Sequence, residues 1–308
     1  MFSKERISTF RRSCGRKNNL TMSDLRRWEI PGHVSLVEGN GGLAKFVIQT
    51  ASSEAEIYLH GAHVTHFQKK GEEPLLFMSD ASDFALDKPI RGGVPLIFPW
   101  FGPREGHQAH GFARISEWTL METSLLPAGA VSLLFKLLNI DFYEVEFCVT
   151  VSDRLTMELY VVNTGPADAI FENCLHSYFQ VSSIESISIT GLRNVRFIDK
   201  VNQATCVEIY PTLAIGCEVD RIYLDTTETI GIVDPGFGRK IWIEKSGSNS
   251  TVVWNPWIDK SKRMPDFGDE EYLQMVCVES GNVADNQITL PPGGSTLLKV
   301  VVSSEEML

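Results

Sequence analysis

The chain has 308 residues, of which 43% are hydrophobic and 22% charged, ordinary values for a globular protein with enough material for a large core. Its 28 Lys and Arg stand against 39 Asp and Glu, and the net charge of −11 excludes general affinity for nucleic acid, so an anionic ligand needs a local basic pocket. No apolar run reaches the roughly 18 residues of a membrane-spanning helix, and no membrane partner is expected. Residues 1–24 form a basic extension. Within it Lys4, Arg6, Arg11, Arg12, Arg16 and Lys17 face a single acid, Glu5, up to residue 19. Such a segment reads either as an organellar transit peptide or as a flexible tail, so the expected compartment is the cytoplasm, or an organelle if the tail is a targeting signal. From residue 25 to 308 a single β-domain is expected. Strand-like runs of Val, Ile, Phe, Tyr and Thr recur at 43–50, 55–67, 131–137, 143–153, 155–163, 187–192, 239–246, 250–256 and 295–303, separated by Gly, Pro, Asn and Asp. Period 2 dominates: in LTMELYVVN, Leu155, Met157, Leu159 and Val161 fall on one side of a strand. One short helical stretch is expected near 266–277. Without strand-helix alternation, the fold class is all-β, a large antiparallel β-sandwich.

The six cysteines, Cys14, Cys148, Cys174, Cys206, Cys217 and Cys277, contain no Cys-x-x-Cys pair. They read as core thiols of a reduced compartment rather than as metal ligands. His60 and His63 have short spacing, but on a strand they point to opposite faces, so a shared metal would need a turn between them. Neither a Gly-x-Gly-x-x-Gly turn nor a P-loop is present, which removes dinucleotide and nucleotide-phosphate readings.

Four places hold polar residues in apolar or Gly-rich text. Residues 90–118 form a long loop with Arg91, His110 and Arg114. Ordering such a loop costs entropy that a function usually justifies, although each residue could equally be a surface charge or a turn. His176 sits in the aromatic run FENCLHSYFQV, either as a core residue or as an acid or base titrating near neutrality. Asp220 heads DRIY, and most acids around it read as solvated. Glu279 ends the apolar run MVCV, where desolvation would raise its pKa and make it a usable base, or where it simply points to water.

Taken together, IRGGVPLIFPWFG, HGFAR, LHSYF, DRIY, VVWNPW with KRMPDF, and MVCVESGNV resemble, in this order, the hexose-6-phosphate branch of the aldose 1-epimerase (mutarotase) family. The resemblance spans roughly residues 30–300. It implies a galactose-mutarotase-like supersandwich, no metal or organic cofactor, and interconversion of α and β anomers of a sugar phosphate, most simply glucose 6-phosphate. It maps the base to Glu279 and the acid to His176. It places His110 and Asp220 on the sugar, and Arg91 and Arg114 are the candidates for the phosphate, with Lys260 and Arg104 as weaker ones. Trp100, Trp118 and Trp254 either stack on the sugar or fill the core, at least two of them the core. The expected arrangement sets Glu279 and His176 across a sugar-sized hollow with a cationic rim, in a monomer. The competing readings are a non-catalytic sugar-phosphate binder, a neutral-aldose mutarotase, and a glycosidase using Asp220 and Glu279 as paired carboxylates.

Overall fold

A computed structural model describes residues 21–307. The basic segment 1–20 and Cys14 lie outside the described residues. Thr21 caps a four-residue helix, Met22–Leu25, whose Leu25 is buried. Among the described residues the strand pairings within the sheets are antiparallel, as the period-2 pattern requires. The run Leu155–Asn163 alternates without a break, burying Leu155, Met157, Leu159 and Val161. It lies inside a nine-stranded sheet, flanked by Tyr143–Val151 and Ser295–Glu306.

The second large sheet has eight strands. Its strands are β1 (Leu96–Ile97), β2 (Asn173–Leu175), β3 (Tyr178–Gln180), β4 (Arg196–Asp199), β5 (Ala204–Val207), β6 (Val219–Leu224), β7 (Ser250–Asn255) and β8 (Met275–Asn282). They are ordered β5-β4-β6-β7-β8-β2-β1, with β3 also pairing with β8. Val253, Val276, Val278, Phe179 and Leu175 join one continuous hydrophobic core with residues of the nine-stranded sheet, such as Val300 and Ile241. A four-stranded sheet, from Val34–Glu38 to His63–Lys69, adds Phe46, Ile57 and Phe67 to the same core.

Strands β7 and β8 are buried at every position, so both their faces are covered. On the face away from the core, Ile97, Cys174, Ile222 and Val252 form a second apolar cluster against which Phe101 packs. Phe101 belongs to the long loop, which is ordered, as its composition predicts. The loop is held by Glu172, whose carboxylate accepts the N–H groups of Phe101 and Ala284, each at 2.7 Å.

Two expectations fail. The helix near 266–277 is a single 3-10 turn, Glu271–Gln274, and from Met275 the chain is strand. There β8 is needed by neighbours on both sides, and pairing outweighs the local helical tendency. The cysteines are not all core thiols: Cys206 and Cys217 are exposed and Cys148 is half-buried.

Candidate active site

Cross-strand register assembles the site. Tyr178 lies opposite Cys277, Cys277 opposite Trp254, and Trp254 opposite Asp220. Side chains in register share a face of the sheet. Two residues beyond Cys277, Glu279 points the same way, opposite Val252. His176 falls in the gap between β2 and β3. Its ring stacks on Tyr178, with centroids 4.8 Å apart and planes within 11°, and it meets Trp254 edge-on at 6.3 Å.

His176 Nε2 lies 3.3 Å from Glu279 Oε1. The two residues expected to cooperate therefore do meet, in direct contact. The Glu279 side chain is 1% exposed and that of His176 10%. Burial, then the nearby charge of Asp220, raises the Glu279 pKa well above the carboxylate range. Burial, then His110 and the two arginines, lowers that of His176. Burial opposes the charge of each group, while their 3.3 Å contact favours opposite charges together, so the two titrate as a coupled pair. The thiol of Cys174 donates to Glu279 Oε2 at 3.6 Å.

His110 reaches the same place from the loop, its ring 5.7 Å from that of His176 and 4.9 Å from that of Phe101. Its backbone is left-handed, φ +66°, a conformation that non-glycine residues rarely adopt and that is often found at functional sites. The next residue shows why the loop is so specific. Gly111 is also left-handed, and a Cβ there would lie 2.0 Å from the Phe98 carbonyl oxygen. Burial, then Arg114, Lys200 and Arg91, pushes the His110 pKa down to about 3, so the ring is neutral. With Nδ1 accepting from the Gly102 N–H at 3.3 Å, the proton belongs on Nε2. His110 is thus a hydrogen-bond donor, not a second acid.

The arginines differ from expectation. Arg91 grips Asp266 with two nitrogens, Nε to Oδ2 at 3.1 Å and Nη2 to Oδ1 and Oδ2 at 3.2 and 2.9 Å. Its Nη1 donates to the Tyr178 hydroxyl at 3.0 Å. Burial opposes its charge, but Tyr178 and Asp266 outweigh that and hold its pKa above the usual value. Arg114 is buried, donates to the Ala109 carbonyl at 2.8 Å and leaves Nε without a hydrogen-bond partner among the described residues. Burial pushes its pKa down to about 10, still cationic at neutrality.

Asp220 faces Lys200 at 3.6 Å and Lys260 at 3.9 Å. Lys200 also stands over the Phe101 ring. Sequence reasoning passed over Lys200, Asp266, Tyr178 and Cys277. Tyr178 and Asp266 lie inside LHSYF and KRMPDF, runs that carry the resemblance, and Cys277 is two residues from Glu279, whereas Lys200 left no signal. Trp254 is on the site, Trp118 is core and donates to the Ala113 carbonyl, and half-buried Trp100 carries Arg104 on its ring. Arg104 also bridges to His107 through the backbone, and Gln108 supplies the carbonyl that Trp100 Nε1 donates to. His60 and His63 flank a left-handed turn, and each Nε2 donates to a different carbonyl, Lys88 and Gly92. Two surface depressions lie elsewhere, one beside Trp100 and Glu172, the other between Tyr58 and Gln180.

A buried carboxyl group against an imidazole, with a neutral histidine donor and cations around them, is an arrangement able to give and take protons. Residues 44–303 match the family model "Aldose 1-epimerase". The chain belongs to the aldose 1-epimerase family. It is accordingly an isomerase with the family's sandwich fold. A protein of Cenchrus ciliaris named "Putative glucose-6-phosphate 1-epimerase" is 34% identical over 291 residues, 87% of this chain and 88% of its own. One of the same name from Escherichia coli K12 is 33% identical over 255 residues, 78% of this chain and 84% of its own. The solved structure of a "putative mutarotase (YeaD)" from Salmonella typhimurium superimposes with a TM-score of 0.80 at 26% identity, covering 89% of this chain and 97% of that one. Within this aldose 1-epimerase, Asp220 and Glu279 share a face of one sheet, His176 adjoins them between two of its strands, and Arg91, His110 and Arg114 come from the loop of residues 90–118.

Proposed function

We propose that this enzyme interconverts the α and β anomers of a hexose 6-phosphate, glucose 6-phosphate in the first instance, by opening and closing the pyranose ring. The contact between His176 and Glu279 carries the reading. Ring opening takes a proton from the C1 hydroxyl and gives one to the ring oxygen. A pair that holds one proton and one free lone pair does both together. With that proton on His176, Glu279 takes the C1 proton and His176 protonates the ring oxygen, and closure on the other face of the carbonyl reverses the roles. His110 Nε2–H steadies a sugar oxygen and Asp220 accepts from hydroxyls. Arg114, cationic and without a carboxylate partner among the described residues, supports phosphate binding, as do the names of the relatives. The working form is a monomer that takes no nucleic acid or membrane partner.

The test follows anomer equilibration of glucose 6-phosphate by NMR, with Glu279→Gln as the variant. Removing one member of an acid–base pair is expected to cost roughly 10²–10⁴-fold. An unchanged rate excludes Glu279 as the base. The occupied fork of Arg91 favours a second reading, a neutral-aldose mutarotase, and comparing glucose with glucose 6-phosphate decides between the two.

A further inference from the structure

The face that holds the acid–base pair also holds a thiol at a telling distance. His176, Cys277 and Glu279 are each more than nine-tenths buried, and one ligand atom from each lies within 4.8 Å of the others. An imidazole nitrogen, a thiolate sulfur and a carboxylate oxygen are the three donor types zinc accepts. We infer that His176, Cys277 and Glu279 form an inhibitory site for a thiophilic divalent cation, zinc above all, which excludes the sugar by occupying the proton-transferring atoms.

The geometry is close to what zinc demands. Tetrahedral bonds of about 2.0–2.3 Å put donor atoms roughly 3.3–3.7 Å apart. His176 Nε2 and Glu279 Oε1 are already at 3.3 Å. The sulfur needs to move by about 1 Å at most, which is within side-chain rotation. Strand geometry supplies two of the three donors, since Cys277 and Glu279 are alternate residues of β8. Three protein ligands leave a fourth position free for water, as in exchangeable rather than purely structural zinc sites. A thiolate and a carboxylate also neutralise the cation, so no net charge is buried. Magnesium and calcium, which require several oxygen ligands, find one carboxylate, Glu279, among these three donors. The surrounding Arg91, Arg114 and Lys200 act against a cation, making the site one for reversible inhibition rather than permanent tenancy.

The test uses the full chain carrying Cys14→Ser, Cys206→Ser and Cys217→Ser, so that neither exposed thiol nor Cys14 competes. Cobalt(II) is expected to bind one to one and give the near-ultraviolet thiolate-to-cobalt charge-transfer band, which zinc then bleaches. Added Cys277→Ser or Cys277→Ala removes the band and weakens zinc roughly tenfold or more, whereas Cys174→Ser retains it. Zinc-edge X-ray absorption on the parent protein, where folding of the Cys277 variants is not at issue, shows one sulfur near ~2.3 Å. Zinc at saturation stops anomer equilibration and a chelator restores it, while magnesium does nothing. No thiolate band, a band that survives loss of Cys277, or a zinc shell without sulfur overturns the site. An active enzyme whose rate is unchanged by saturating zinc overturns the inhibition. The metal readouts do not use turnover, so they stand or fall separately from the epimerase reading.

Discussion

Replacing Arg91 by Ala separates two jobs that the same guanidinium could perform. In the structure its fork lies on Asp266, whose side chain is 13% exposed against 21% for Arg91, and its remaining Nη1 holds the Tyr178 hydroxyl. Arg91→Ala leaves a largely buried carboxylate without a counter-charge, which costs about 3 kcal/mol, the low end of the range for broken buried pairs because both partners keep some water. Removing Asp266 as well takes away the stranded charge, so the double variant recovers a good part of the loss, and urea denaturation of the four proteins measures the coupling. Catalysis is read beside it. If Arg91 also binds the phosphate, kcat/KM for glucose 6-phosphate falls by at least about 2 kcal/mol, roughly thirtyfold, while that for glucose changes little. If Arg91 serves only to fix Tyr178, and through its stacked ring His176, both substrates lose equally. Equal losses on NMR and polarimetric assays refute a phosphate role for Arg91 and leave Arg114 and the lysines to supply it.

Three other outcomes follow from the same geometry. The pH profile of kcat/KM is expected to have a plateau with two falling limbs, since activity needs one proton in the His176–Glu279 pair: acid adds a second and alkali removes the last. A profile with a single limb contradicts a shared-proton pair. For stability, His63 is buried and its pKa is pushed down to about 3, so below the unfolded value of about 6.5 the unfolded chain binds the extra proton. Its contribution is complete above that value and is lost as pH falls, by about 1.4 kcal/mol between pH ~7.5 and ~5.5. Urea titrations of wild type and His63→Gln check this, and the variant's stability must depend less on pH. Gly111→Ala forces a Cβ into the Phe98 carbonyl at a left-handed residue. It is expected to cost at least about 2 kcal/mol and to dislodge His110, seen as a lower Tm together with a loss of kcat.

The sandwich was legible because period 2 is written locally: LTMELYVVN buries every second residue, as its letters demand. His176 and Glu279 were legible for a related reason, as titratable residues in apolar strands, and resemblance to the family joined them. What stayed hidden depends on long-range pairing. Arg91 meets Asp266 across 175 positions, and nothing near either residue records that an internal carboxylate would occupy the fork. Lys200 joins the site only because the end of β4 lies beside Asp220, to whose carbonyl its N–H donates. The helical tendency near Glu271 was real but lost beyond one turn, since β8 is paired along both edges.

Strand β8 has a consequence for anyone who engineers this enzyme. Odd-numbered Cys277 and Glu279 face the candidate site, and even-numbered Val276 and Val278 plug the interior. Slipping by a single residue would drive a carboxylate into oil and push two valines toward the sugar. Misregistered chains are therefore unstable and inactive at once, and turnover doubles as a proofreading signal for correct assembly.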